Sequence, residues 1–269
     1  MKTIHDAETN LQRSAFSVPP SARPVALVTG ASRGIGAAIA RELARRGYAL
    51  VLAARSAPAL ALLAGELTRA GAPALPIPTD LGRPEEALRL ARLALDHFGR
   101  VDVLVNNAGM GGTGRGLARM SAAEVSALLA VNLEAPALLA SALLPQMLAR
   151  RSGAIVFIGS VAGHVPLPGS ALYSASKHGL RGLALALRRE TLGRGVRVTL
   201  ISPGFVDTDM VRRLRRIPKV PPEAVARAVA EALERPRRER FVPGYYRLAA
   251  LVDAALPWIA DIALRWRGR

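Results

Sequence analysis

The stretch Val25-Ala26-Leu27-Val28-Thr29-Gly30-Ala31-Ser32-Arg33-Gly34-Ile35-Gly36 decides how the fold of this 269-residue chain is read. Its first five residues form a short, mostly apolar run that stops at a glycine, the pattern of a fully buried parallel strand. The glycines then occupy a strand-to-helix turn, where missing side chains let a phosphate reach the backbone and the helix N-terminus supplies a positive dipole. A glycine cluster alone is weak evidence, because an ordinary tight turn uses the same residues. Its position at the opening of the first βα unit gives it weight.

Outward from that turn the alternation repeats. Apolar runs rich in Val, Ile and Leu recur at 49–53, 74–78, 101–106, 154–158 and 196–202, separated by helix-compatible stretches at 35–46, 57–70, 84–98, 122–151 and 173–192. Gly47, Gly71, Gly99, Gly153 and Gly195 sit near the helix ends, where a left-handed residue often stops a helix. Strict alternation of this kind specifies a doubly wound α/β sheet with right-handed crossovers and helices on both faces. With 51% apolar content the chain can bury one large core, so one domain is expected over 25–247. A flexible N-terminal tail is expected at 1–24 and an apolar and basic helical tail at 248–269. Beyond residue 202 the pattern loosens into an expected mobile segment at 207–221, a helix at 222–234 and a short strand near Phe241.

The chain has no cysteine, which excludes disulfides, thiolate metal sites and a cysteine nucleophile. His5, His97, His164 and His178 show no metal-like spacing, so no metal is assigned. The N-terminal tail carries Asp6, Glu8 and Arg13 and lacks the continuous apolar core of a signal peptide, which makes a cytoplasmic location the expectation. The net charge of +17 attracts anionic ligands, but it is spread out: from Phe205 onward there are 14 basic and 8 acidic residues. No basic run is interleaved with stacking aromatics and aromatic content is only 4%, so nucleic acid is not an expected partner. Residues 248–266 contain Asp253, Pro257 and Asp261 and make a poor transmembrane span. Packing on the core or on a partner subunit is expected of them. The alternative is a peripheral membrane helix, with Trp258 and Trp266 beside Arg265, Arg267 and Arg269.

If the glycine turn holds a dinucleotide, the end of the second strand discriminates between NAD and NADP. A carboxylate there would bond the ribose 2′-hydroxyl of NAD and repel a 2′-phosphate. The sequence is Leu52-Ala53-Ala54-Arg55-Ser56, with no acid. Arg55, and Arg33 from the glycine turn, can grip a 2′-phosphate, so NADP(H) is expected over NAD(H). In so arginine-rich a chain both could equally be solvated surface residues.

Tyr173 and Lys177 are four apart and fall on one face of the same helix, close enough for the ammonium to act on the phenol. A free tyrosine ionises near pH ~10. A neighbouring cation and a charged nicotinamide favour phenolate, so the expectation is a pKa drawn down toward working pH. Ser160 ends an apolar strand at the sheet edge, where its hydroxyl can donate to a substrate oxygen. Asn132 falls in a helix interior, where an amide often only decorates a surface.

These residues together carry a resemblance. Thr29 to Gly36, Asp80-Leu81, Asn106-Asn107-Ala108-Gly109, Asn132, Ser160, Tyr173-Ser174-Ala175-Ser176-Lys177 and Pro203-Gly204 stand in the order found in the short-chain dehydrogenase/reductases, in the subgroup with a TGxxxGxG glycine motif. The likeness runs from about 25 to 208, and the full series is highly specific. It implies a single Rossmann-like domain of about seven parallel strands ordered 3-2-1-4-5-6-7, with the ligand at the carboxyl edge. It implies cofactor contacts from Gly30, Ser32, Arg33, Gly34, Ile35, Gly36 and Arg55, and further ones from Asp80, Leu81, Asn107, Ala108 and Gly109. Tyr173, Lys177, Pro203, Gly204, Val206 and Thr208 complete that set. It also implies a mechanism in which Ser160 polarises a carbonyl, Tyr173 protonates its oxygen, Lys177 holds the ribose and tunes Tyr173, and Asn132 anchors a water. Ser160 and Tyr173 then touch the substrate, and a homodimer or homotetramer is expected.

The substrate is less legible. Segments 110–116, 161–172 and 207–220 should determine it. Gly111, Gly112, Gly114 and Gly116 suggest a mobile lip, and Arg212, Arg213, Arg215 and Arg216 a basic lid. Val161, Val165, Leu167 and Leu172 suit an acyl, steroid-like or lipid-like ketone, and His164 is a candidate for substrate contact. A non-catalytic NADP(H)-binding regulatory protein, or a membrane-surface interaction protein, is the alternative reading.

Overall fold

The computed structural model describes residues 23–111, 116–209, 217–258 and 261–262. The expected N-terminal tail up to 22, most of the glycine lip (112–115) and the four arginines of the basic lid lie outside the described residues.

Seven strands form one parallel sheet: β1 (Val25–Thr29), β2 (Ala49–Ala54), β3 (Ala74–Pro78), β4 (Val103–Asn106), β5 (Gly153–Ile158), β6 (Val196–Pro203) and β7 (Glu239–Val242). Their spatial order is β3-β2-β1-β4-β5-β6-β7, as the resemblance implied. The strands read as unbroken apolar runs because both faces are covered. Alternation sends Ala26 and Val28 to one face, against Ile39 and Leu43 of α1 (Gly34–Arg45), Leu60 and Leu63 of α2 (Ala57–Arg69) and Val229 of α7 (Pro222–Glu234). Val25 and Leu27 go to the other face, against Leu90 of α3 (Pro84–Phe98), Leu139 and Leu143 of α5 (Ala135–Ala149) and Leu180 of α6 (Ala171–Glu190).

Local sequence explains the helix ends. Ser121 and Glu124 form a reciprocal capping box at the start of α4 (Ala122–Leu129). Ser56 caps α2, accepting from the Ala59 amide. Gly47, Gly71, Gly99 and Gly195 do adopt positive φ, as expected. Gly153 does not: it is the first residue of β5, and Arg151 takes the left-handed conformation instead, with φ of 50°. Gly153 is glycine for space, since a Cβ there would lie 2.6 Å from Cγ of Met147.

The expected continuous helix at 122–151 is interrupted. Between α4 and α5 the backbone widens into a π turn, Ala130–Glu134, with Asn132 at its centre. The whole run Ala122–Ala149 is long and apolar enough to cross a membrane by length and composition, yet Leu128, Leu139, Leu143 and Met147 are buried in this domain.

After β7 the chain turns into α8 (Tyr246–Ala255), none of whose residues is buried. Leu248, Leu251, Leu256, Trp258 and Ile262 are exposed.

Candidate active site

The carboxyl ends of β1, β4, β5 and β6 converge with the N-terminal part of α6. At the end of β1 the Thr29 hydroxyl accepts from the Asn107 and Ala108 amides, both at 2.9 Å, and donates to the Val105 carbonyl at 3.3 Å. Asn107 returns the contact, donating through Nδ2 to the Thr29 carbonyl at 2.8 Å. One threonine and one asparagine thereby lock the glycine turn to the loop after β4.

The glycine turn is built for close backbone approach. A Cβ on Gly36 would lie 2.1 Å from the Gly30 carbonyl oxygen, and one on Gly34, whose φ is +54°, would lie 3.2 Å from the Thr208 methyl. Bare backbone at the N-terminus of α1 is the cradle that a pyrophosphate requires, so the residues present fit a dinucleotide. Ser32 and Ile35 are half-buried in the same turn. Arg33 is exposed there, its guanidinium paired with Asp209 at 2.7 Å. Both partners are solvated, so this pair is weak and a doubly charged phosphate can displace it. Arg55 is exposed at the end of β2. Asp80 is also exposed, with Oδ1 accepting from the Gly82 amide at 3.1 Å, and Leu81 is buried beside it.

The four residues expected to do chemistry are brought together. Lys177 is buried, and its Nζ donates to the Ile158 carbonyl at 3.0 Å and stands 5.9 Å from the centre of the Tyr173 ring. Gly109 lies over this group: a Cβ on it would be 3.4 Å from Asn132 Oδ1 and 3.7 Å from Lys177 Nζ. Asn132 accepts from the Met110 amide at 2.7 Å, donates to the Met110 carbonyl at 3.0 Å and donates to Ser176 Oγ at 3.0 Å. Ser176 Oγ in turn donates to the Tyr173 carbonyl at 2.7 Å. Ser160 begins the short 3-10 turn Val161–Gly163, its Oγ accepting from the Ala162 amide at 3.1 Å. That leaves the hydroxyl proton of Ser160 to donate. Gly163 lets this turn press on α6, since a Cβ there would meet the Lys177 carbonyl at 2.7 Å.

Burial and hydrogen bonding act in opposite directions on the Tyr173 phenol. Burial raises the phenol above its ordinary value, and a side-chain hydrogen bond with Ser160 only partly counteracts it. Burial also disfavours the Lys177 ammonium and pushes its pKa to about 8.

At the end of β6, Pro203 is buried and the next residue's amide, that of Gly204, donates to the Val242 carbonyl at 2.9 Å. Val206 bridges to Val220, and Thr208 Oγ1 donates to the Val206 carbonyl at 3.3 Å. The Tyr246 ring occupies the space over Gly204, where a Cβ would lie 2.0 Å from Cε2. Beside Tyr173 a small pocket is lined by Leu117, Met120, Leu128, Ser170 and Leu172, with no charged side chain in its wall among the described residues. His164 does not face this pocket; its Nε2 lies 2.5 Å from Glu239 Oε1. The sequence reading passed over Ser176, Ser202, Glu239 and Tyr246; only Ser176 lay inside a recognised motif.

The family model described as short chain dehydrogenase matches residues 24–218. The chain belongs to that family. This short-chain dehydrogenase is an oxidoreductase that uses a nicotinamide cofactor and acts on carbonyl or alcohol groups. It is 36% identical over 254 residues to the ketoacyl reductase HetN of Nostoc sp., covering 90% of this chain and 88% of that one. It is 40% identical over 195 residues to a 3-oxoacyl-[acyl-carrier-protein] reductase of Synechocystis sp., covering 72% and 78% respectively. Among solved structures, it matches a metagenomic short-chain oxidoreductase in complex with NADP with a TM-score of 0.70 and 44% identity, over 77% of this chain and 89% of that one. It also matches an alcohol dehydrogenase from the archaeon Thermococcus sibiricus, complexed with 5-hydroxy-NADP, with a TM-score of 0.74 and 32% identity, over 81% and 94%.

Proposed function

We propose that this short-chain dehydrogenase is an NADP(H)-preferring reductase of a ketone carried on an apolar, acyl-like or lipid-like substrate. The observation that carries the reading is the gathering of Tyr173, Lys177, Asn132 and the Ser160 turn at the carboxyl end of the sheet, with Tyr173 beside a small pocket whose described lining carries no charge. Reduction requires a group that delivers a proton as the carbonyl oxygen gains charge, which a phenol at this position can do. When bound, the cofactor supplies the hydride. The chain's own residues do the rest: Ser160 donates to the carbonyl oxygen, Tyr173 delivers the proton, and Lys177 holds the nucleotide side of the site. Asn132 keeps the loop at Met110 and the first turns of α6 in register.

For NADP(H), support comes from the absence of an acid in Ala54-Arg55-Ser56 and from two solved relatives bound to NADP or a derivative of it. The ketoacyl reductases among the relatives support the carbonyl substrate. The chain is proposed to work in the cytoplasm as a homodimer or homotetramer. The exposed apolar residues of α8 and beyond support an added contact with a membrane surface, to which the basic chain is drawn. NADPH oxidation measured across ketoacyl thioesters, steroids, quinones and simple aldehydes tests the reading: activity is expected with apolar ketones, and activity confined to small polar aldehydes overturns it.

A further inference from the structure

We propose that Glu239, at the start of the edge strand β7, is a positioning residue that holds the Ser160 turn and the Pro203-Gly204 segment in register with the helix bearing Tyr173 and Lys177. The inference rests on the proposed roles of those residues.

Three side chains from three separate elements converge on this carboxylate. His164, immediately after the 3-10 turn that Ser160 begins, places Nε2 at 2.5 Å from Oε1. Ser202, two residues before Gly204, donates to the same oxygen at 2.7 Å. Arg181, one turn beyond Lys177 on α6, brings Nε to 3.6 Å from Oε2. The His164 and Glu239 side chains are 8% and 11% exposed, and Ser202 is fully buried. The His164 ring also packs on Phe241 of β7, with centroids 4.8 Å apart.

A carboxylate so enclosed is costly unless its partners satisfy it. Burial works to raise the Glu239 carboxyl, and His164, Ser202 and Arg181 outweigh it, holding the group ionised. Of the roles a buried ionic group can fill, fixing one geometry suits this one, because each tie leads to a segment carrying a proposed functional group. The Ser160 turn is pressed on α6 by Gly163 on one side and tethered to β7 by His164 on the other. Without the tether, the Ser160 hydroxyl is free to drift from Tyr173. A misplacement of about 1 Å is enough to cost on the order of a hundredfold in rate.

The test compares the full chain with Glu239→Gln, His164→Leu and His164→Gln by amide hydrogen exchange and steady-state kinetics. His164→Gln retains a donor toward the carboxylate, and His164→Leu does not. The proposal expects faster exchange confined to residues 160–165 and 202–206 in Glu239→Gln and His164→Leu, with near-parent behaviour in His164→Gln. It expects kcat to fall about tenfold or more in the first two. Unchanged exchange and kcat overturn it, as does exchange raised uniformly across the sheet, which marks a purely structural role. If Glu239→Gln fails to fold, the two His164 variants decide. If no carbonyl substrate is turned over by the parent chain, the proposed function fails, while the exchange pattern still tests the tether.

Discussion

Lys177 lies one helical turn beyond Tyr173, with its ammonium 5.9 Å from the centre of the phenol ring and donated to the Ile158 carbonyl at 3.0 Å. The lysine is thus fastened to the end of β5, two residues before Ser160, and the helix that carries Tyr173 is fastened with it. Its tie to β5 places it beside Tyr173, and burial lowers its own pKa to about 8.

A buried ammonium costs stability, and the cost has a pH signature. The Lys177 pKa falls from 10.5 to about 8 on folding. Each unit is about 1.4 kcal/mol, so holding the charge at pH 7 costs on the order of 3 kcal/mol. Between about pH 8 and 10.5 the unfolded chain binds more protons than the folded one, so the lysine's contribution to stability rises with pH across that window. Lys177→Met removes the penalty but strands the Ile158 carbonyl, at about 1–3 kcal/mol. The variant is expected to melt a few degrees higher at pH 7, with the gain vanishing or reversing near pH 10, and to lose turnover. Melting curves at the two pH values check this, and a gain that grows with pH contradicts it.

The glycine turn admits no side chain at its third glycine. A Cβ on Gly36 would sit 2.1 Å from the Gly30 oxygen, so Gly36→Ala must displace backbone. Overpacking of this kind costs about 1–3 kcal/mol. NADPH affinity measured by fluorescence titration should collapse, with a lower melting temperature; normal affinity would show that the turn does not hold the nucleotide.

Cofactor choice is assigned to Arg55. One charge-assisted contact is worth about 1.5–3 kcal/mol, or roughly 10- to 100-fold in affinity. Arg55→Asp should weaken NADPH by about that factor and leave NADH little changed or improved. Equal losses for both cofactors would remove Arg55 from the 2′-phosphate site.

The exposed Leu248 and Leu251 of α8, with Leu256, Trp258 and Ile262 beyond it, predict surface binding. Vesicles containing phosphatidylserine should float the full chain, and removal of residues 248–269 should abolish flotation. Flotation unaffected by the truncation, or absent for the full chain, would leave α8 to a partner subunit.

The sheet was legible because each of its strands from β1 to β6 is a compact apolar run between helical stretches, and the site because its motifs are contiguous or spaced by one helical turn. The π turn around Asn132 was not, since 122–151 is compositionally an unbroken helix and the widening depends on what Asn132 bonds across space. Arg151 in place of Gly153 at a left-handed position was equally hidden, because glycine was required there by Met147 instead. Glu239 and Tyr246 lie beyond every motif, and only folding brings them to Ser202 and Gly204. The upward push of burial on Tyr173 was hidden too, because desolvation is a property of the assembled core, which spacing along a helix does not reveal.

The most direct measurement is the turnover of Tyr173→Phe with the best apolar ketone found, alongside NADPH binding to the same variant. Loss of the phenolic proton should lower kcat by about 10²- to 10⁴-fold while NADPH still binds. Turnover equal to the parent's would contradict the assignment of Tyr173 as the proton donor.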